Sequence, residues 1–354
     1  MAKGMNRYGP TAARAHGRPG REVRPRTLTF DIHSHVAVPE AMELVAPHLD
    51  WSTVPLAQFA TAETKAINQA QDAERRPQMT VIETRLGELD AMGLDMQLVM
   101  PPPPQCCYSV REDVAARANL VVNDGIAEFC ARAPDRFVGL GTVTLQAPER
   151  AVEELRQVMG PYGLKGVEVL TNVSGKELSD PSLEPFWKEA ERLGALIVIH
   201  PNGFTEGQRL TRFYFNNVVG NPLETALALH YLIFDGVLER YPDLKLLAVH
   251  GGGYLASYSG RIDHAWGARE DCRAGLPLPP THYLRKVWLD TVVFTPHQLR
   301  CLVETFGPER IVMGTDYPYD MGEYEPVAHV LEAGLDDAAV AAICGGNAKE
   351  LLGL

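Results

Sequence analysis

From Thr27 onward the chain alternates short apolar runs with longer segments in which apolar residues recur at helical spacing. The runs Thr27–Ile32, Met96–Met100, Phe137–Val143, Gly166–Leu170, Leu196–Ile199, Leu246–Val249, Val287–Leu289 and Ile311–Met313 have strand length. Each is read as a buried strand. Helices are expected over Val114–Ala133, Pro148–Met159, Leu183–Leu193, Pro222–Arg240, Tyr254–Trp266 and Pro296–Phe306, with a last one from about Asn347. Strands that alternate with helices pair in parallel, and eight such units are the number that closes a (β/α)8 TIM barrel. An open doubly wound sheet is the competing architecture. It would carry a glycine-rich turn after its first strand, and there this chain reads His33-Ser34-His35.

Two regions break the rhythm. Residues 36–92 hold Pro39, Pro47 and Pro55 and a polar run from Gln69 to Arg76. They are read as a mostly helical insertion lying over the mouth of the barrel, with Arg85 and Glu88 on a solvated helical face. Residues 1–26 are rich in Arg, Gly and Pro, with Glu22 the only acid. That composition points to a disordered leader, a transit peptide being the alternative, and leaves 27–354 as one barrel domain.

Composition adds limits. The 354 residues are 45% hydrophobic and 22% charged, ordinary for a globular barrel. A net charge of −12 argues against a nucleic-acid groove, while leaving room for a small anionic substrate met by local arginines. No apolar run is long enough to span a membrane. Cys106, Cys107, Cys130, Cys272, Cys301 and Cys344 form no C-x-x-C pair, which suits reduced thiols in a cytoplasmic protein.

The chemistry sits at predicted strand ends. His33 and His35 project on one face of the first strand about 7 Å apart. His200 closes the fifth strand, His250 the sixth and Asp316 the eighth, and in a barrel all these ends open on one face. Imidazoles with a carboxylate suit a borderline divalent ion such as Zn²⁺, with Mn²⁺ or Co²⁺ also accommodated. After the fourth strand the chain reads Leu170-Thr171-Asn172, and Lys165 and Glu168 lie at its start and middle, so one metal is expected. His250 is read as the general base toward metal-bound water, and Gly251-Gly252-Gly253 as letting backbone approach substrate. An esterase would need a Gly-x-Ser-x-Gly elbow, which is absent. Arg76, Arg209, Arg261 and Arg269 are candidate carboxylate partners. Phe204, Phe213, Tyr214, Trp266, Tyr317 and Tyr319 are candidate walls of a flat pocket.

The stretches Glu239-Arg-Tyr-Pro-Asp-Leu-Lys, His250-Gly-Gly-Gly-Tyr, Gly260-Arg-Ile-Asp-His-Ala-Trp, Gly307-Pro-Glu-Arg-Ile-Val-Met-Gly-Thr-Asp-Tyr-Pro and Gly345-Gly-Asn-Ala resemble the amidohydrolase superfamily. The likeness is to its branch of 2-amino-3-carboxymuconate-6-semialdehyde decarboxylase-like proteins. The resemblance implies that His33, His35, His200 and Asp316 hold Zn²⁺, that His250 works beside them, and that Arg76 and Arg269 hold substrate carboxylate. It further implies a homodimer in which Arg261 reaches the neighbouring subunit's site. The chain departs from the pattern at Phe213-Tyr214-Phe215, where a tryptophan is usual, and at Tyr319, where a phenylalanine is. Together these point to a metal-dependent non-oxidative decarboxylase of an aromatic or unsaturated, muconate-like acid. A hydrolase or hydratase using the same centre is the alternative, and a protein with a purely structural metal the remaining one.

Overall fold

The computed structural model describes residues 27–273 and 275–354; the predicted leader lies outside them. Eight parallel strands alternate with helices: β1 (Phe30–His35), β2 (Met96–Met100), β3 (Phe137–Gly139), β4 (Gly166–Leu170), β5 (Leu196–His200), β6 (Lys245–Ala248), β7 (Trp288–Asp290) and β8 (Ile311–Val312). Hydrogen bonding runs unbroken within β1–β3 and within β4–β8. A parallel bridge from Gly141 to Val167 joins the two sets. The ring closes through a bridge from Ser34 to Tyr317 and a bond from Ile32 N–H to the Met313 carbonyl at 2.8 Å. This is the (β/α)8 barrel that the rhythm of the sequence predicts.

Alternation sorts the core. In β5, Leu196 and Val198 join Phe30, Ile32, Leu98, Met100, Leu247 and Val249 in one cluster inside the barrel. Ile197 and Ile199 face outward with Leu229, Leu232 and other helical residues. Strict alternation would put Ile32 and His33 on opposite faces. The register of β1 against β2 shifts between Asp31 and Ser34, and a bulge of this kind re-aims the side chains beyond it. Ile32 therefore stays in the apolar interior while His33 and His35 also turn toward the barrel centre.

Between β1 and β2 lie α1 (Pro39–Val45), α2 (Pro55–Gln58), α3 (Ala62–Thr80) and α4 (Ile82–Met92). Thr61 caps α3 by accepting from Thr64 N–H, and α4 stops at Gly93 in the left-handed conformation. The predicted helix Pro222–Arg240 is broken into Gly220–Phe234 and Val237–Arg240 by Gly236 at φ +75°. The predicted Tyr254–Trp266 is likewise two pieces, Gly253–Tyr258 and Gly260–Ala268, and a helix over Pro326–Glu332 was not anticipated.

Arg85 corrects an expectation. It is fully buried rather than solvated. Its guanidinium donates to the Gln78 carbonyl at 3.1 Å, to Gln97 Oε1 at 3.0 Å and to the His35 carbonyl, and it lies over the Tyr317 ring. Gln97 continues the chain of bonds to Asp31 (2.7 Å), which accepts from Thr315 Oγ1 (2.6 Å). One buried network thus ties β1, β2 and the segment after β8 beneath the site. Arg85→Ala would strand several buried acceptors at once, and we expect it to lower unfolding free energy by about 3–5 kcal/mol. Urea denaturation measures this; a loss below about 1 kcal/mol would show the network to be incidental.

Candidate metal centre

His33, His200, His250 and Asp316 each offer one ligand atom, all within 4.8 Å of one another. The Asp316 carboxylate is the hub. Its Oδ1 lies 3.3 Å from His33 Nε2, 3.2 Å from His35 Nε2 and 3.9 Å from His200 Nε2, and its Oδ2 lies 3.3 Å from His250 Nε2. Both Asp316 and His250 have positive φ, +58° and +55°, a conformation uncommon outside glycine and concentrated at functional sites.

What lies behind each ring differs. His33 Nδ1 meets Asp290 Oδ2 at 2.7 Å, His35 Nδ1 meets the Pro101 carbonyl at 3.0 Å, and His200 Nδ1 meets the Pro201 carbonyl at 2.7 Å. Each of these rings can donate its Nδ1 proton outward and aim an Nε2 lone pair at the centre. Metal-ligating histidines are characteristically held this way. His250 is not: its Nδ1 is buried without a partner, and its side chain is 17% exposed at the cavity. The Nε2 atoms of His33 and His200 are likewise buried without a hydrogen-bond partner. Nitrogen and oxygen donors converging at this spacing, with orphaned lone pairs, fit a divalent cation.

Charge balance agrees. Burial lowers His35, and it lowers His200 to about 3, which keeps both rings neutral. Burial alone would raise Asp316, but the imidazoles around it hold it well below the usual carboxylate range. Burial also works to lower His33, yet Asp316 and Asp290 outweigh it and push the ring up to about 10. A proton on His33 Nε2 and a cation there would be alternatives.

The amidohydrolase family model matches residues 30–354. The chain belongs to the amidohydrolase family. Within it, the chain falls in the 2-amino-3-carboxymuconate-6-semialdehyde decarboxylase-like branch. It is 33% identical to the protein of that name from Dictyostelium discoideum over 93% of this chain and 92% of that one. It is 28% identical to gamma-resorcylate decarboxylase of Rhodococcus jostii, over 68% of this chain and 78% of that one. Its fold superposes on 5-carboxyvanillate decarboxylase of Sphingomonas paucimobilis with a TM-score of 0.81 at 24% identity, covering 93% and 99% of the two chains.

The centre of this amidohydrolase opens into a cavity of about 760 Å³ that reaches His200, His250, Asp316, Tyr214 and Tyr319. The structure brings those predicted residues together and leaves others apart. Arg76 faces solvent on α3; its neighbour Arg75 is the buried residue that lines the cavity. Arg269 is exposed and paired with Asp271 at 2.6 and 2.9 Å, and Arg209 and Arg261 are exposed. Phe213 is 67% exposed and Tyr317 is buried under Arg85. The glycines after His250 approach protein rather than substrate. A Cβ on Gly251 would lie 2.4 Å from Val293 Cγ1, and one on Gly253 2.2 Å from the Pro222 carbonyl oxygen.

Asp290 and Glu168 gave less signal in the sequence. Asp290 closes β7, and its Oδ1 accepts from Gly251 N–H at 2.8 Å while Oδ2 holds His33. One carboxylate thus holds the His33 ring and the turn that carries His250. Glu168 is buried, and burial raises it well above the usual carboxylate range. Neither of its carboxylate oxygens has a hydrogen-bond partner among the described residues. Asp290→Ala should weaken metal binding roughly 10–100-fold, measured by chelator competition; unchanged affinity would contradict the positioning role.

Proposed function

We propose that this amidohydrolase is a metal-dependent, non-oxidative decarboxylase of an aromatic or unsaturated, muconate-like carboxylic acid. The observation that carries the reading is the contrast between the three anchored imidazoles and His250. His33, His35 and His200, with Asp316, are assigned as ligands, and His250 as the proton carrier. Relatives that the chain matches over most of its length bear the names of carboxy-lyases, which favours this chemistry over hydrolysis or hydration at the same centre.

Zn²⁺ is assigned as the resident ion because three imidazoles and one carboxylate suit it; one per subunit fills the cluster. Manganese is bound in the dihydroxybenzoic acid decarboxylase structure from Polaromonas and in a 5-carboxyvanillate decarboxylase structure from Novosphingobium, so Mn²⁺ and Co²⁺ stay compatible. When bound, the ion supplies positive charge that polarises the substrate and stabilises developing negative charge.

This chain's residues do the rest. Arg75 holds the carboxylate in place of the expected Arg76. Its Nη2 pairs with Asp72 at 3.0 Å, while Nε and Nη1 are buried without partners beside the cavity. Its guanidinium lies 4.8 Å over Tyr319, whose ring in turn stands edge-on to His35 at 5.0 Å. Tyr319 and Tyr214 flank a planar substrate. As the bond to the carboxyl carbon breaks, CO₂ departs and the electron pair stays on the substrate carbon. A proton delivered through His250 fills that position.

Arg261 lies outside its own cavity, on an exposed helix face beside Tyr258, which is 68% exposed, and His264. We assign it to the neighbouring subunit's site in a homodimer.

With Zn²⁺ loaded, the protein should release CO₂ from 2-amino-3-carboxymuconate-6-semialdehyde or gamma-resorcylate, lose the activity on chelation and regain it with Zn²⁺. A product heavier by one water would point to hydration or hydrolysis instead. His250→Ala should keep its metal and lose about 10²–10⁴ in turnover, whereas His200→Ala and Asp316→Ala should lose the metal. Loss of metal from His250→Ala would reverse the assignment. Mixing inactive Arg261→Ala and His250→Ala subunits should restore activity, since one site of each mixed dimer is complete; a mixture that stays inactive would contradict donation between subunits.

A further inference from the structure

The cavity is larger and less polar than its chemistry requires. His200, His250, Asp316, Arg75 and Tyr319 line part of it. The insertion contributes a different surface: Trp51, Val54, Leu56, Ala57 and Ala60 line the cavity with carbon. No step assigned above uses this wall. Its volume of about 760 Å³ lies high in the range for drug-sized ligands, roughly 300–1,000 Å³, and a one-ring acid would leave much of it to water.

The wall is built rather than loosely draped. Leu56 N–H donates to the Asn202 carbonyl at 3.2 Å, and Asn216 Nδ2 donates to the Pro55 carbonyl at 2.8 Å. The loop after β5 packs so close that a Cβ on Gly203 would lie 2.5 Å from Leu56 N, and one on Gly207 2.5 Å from the Phe59 ring. Ala57 and Ala60 place single methyl groups where larger side chains would fill the space. Trp51 lines the cavity yet is 56% exposed, apolar surface that a ligand would cover.

We infer that the substrate carries an extended apolar substituent on the side away from its reacting carboxylate, lying along the wall of Trp51, Val54, Leu56, Ala57 and Ala60. The inference rests on the decarboxylase reading for which end of the substrate meets the metal. It narrows the substrate class from small ring acids to acids with an alkyl or aryl extension.

The test compares salicylate with 4-pentylsalicylate on the Zn²⁺-loaded protein, binding being read by calorimetry. Burying the five carbons of the pentyl chain should make the extended probe bind roughly thirtyfold or more tightly, since each is worth about fourfold at most. Ala57→Phe and Ala60→Phe should remove that advantage, and their affinity for salicylate reports whether they have folded. Equal affinities, an advantage that survives both substitutions, or no binding of the extended probe overturns the inference. Preferential binding of extended acids without CO₂ release from any of them leaves the inference standing and overturns the decarboxylase reading.

Discussion

Four imidazoles, three of them buried, crowd a single carboxylate, and that crowding is the constraint on which the rest of the structure depends. Asp316 offers one negative charge to Nε2 atoms of His33, His35, His200 and His250 between 3.2 and 3.9 Å away. Buried polar groups must find partners, and protons alone serve this set poorly. Burial disfavours charge on His35 and His200, whereas Asp290 and Asp316 draw a proton onto His33. A divalent cation would satisfy the buried three and the carboxylate together.

The barrel supplies the convergence. The bulge in β1 turns two histidines inward without exposing Ile32, and the network of Arg85, Gln97, Asp31 and Thr315 fixes the strands behind them. Asp290 reaches both His33 and the Gly251 backbone, so the His33 ring and the turn that carries His250 share one support. Close glycine packing keeps the turn after His250 against the protein and leaves the ring facing the cavity.

Much of this was legible in the sequence, because strand rhythm and the position of a polar residue at a strand end are local properties. Met96–Met100 and Gly166–Leu170 coincide with their predicted runs, and the five residues of the centre were all visible as strand-end polar groups. What depends on phase or on distant partners was not. Arg75 and Arg76 are adjacent, and only the rotation of α3 decides which meets the cavity. Arg85 looked solvated because its partners come from β1, β2, the last turn of α3 and the segment after β8. Asp290 is one aspartate at the end of a three-residue strand, with its meaning set by a histidine more than two hundred residues earlier. The apolar wall around Ala57 is composed of unremarkable residues whose shared surface exists only in the fold.

The central claim is the division of labour between three imidazoles anchored through Nδ1 and one whose Nδ1 has no partner. Anomalous diffraction at the metal edge, from crystals of the loaded protein, tests it most directly. The account predicts one peak within bonding distance of His33, His35 and His200 Nε2 and the Asp316 carboxylate, with His250 outside that shell. A peak bonded by His250 in place of His35, or two peaks with Glu168 between them, would contradict it.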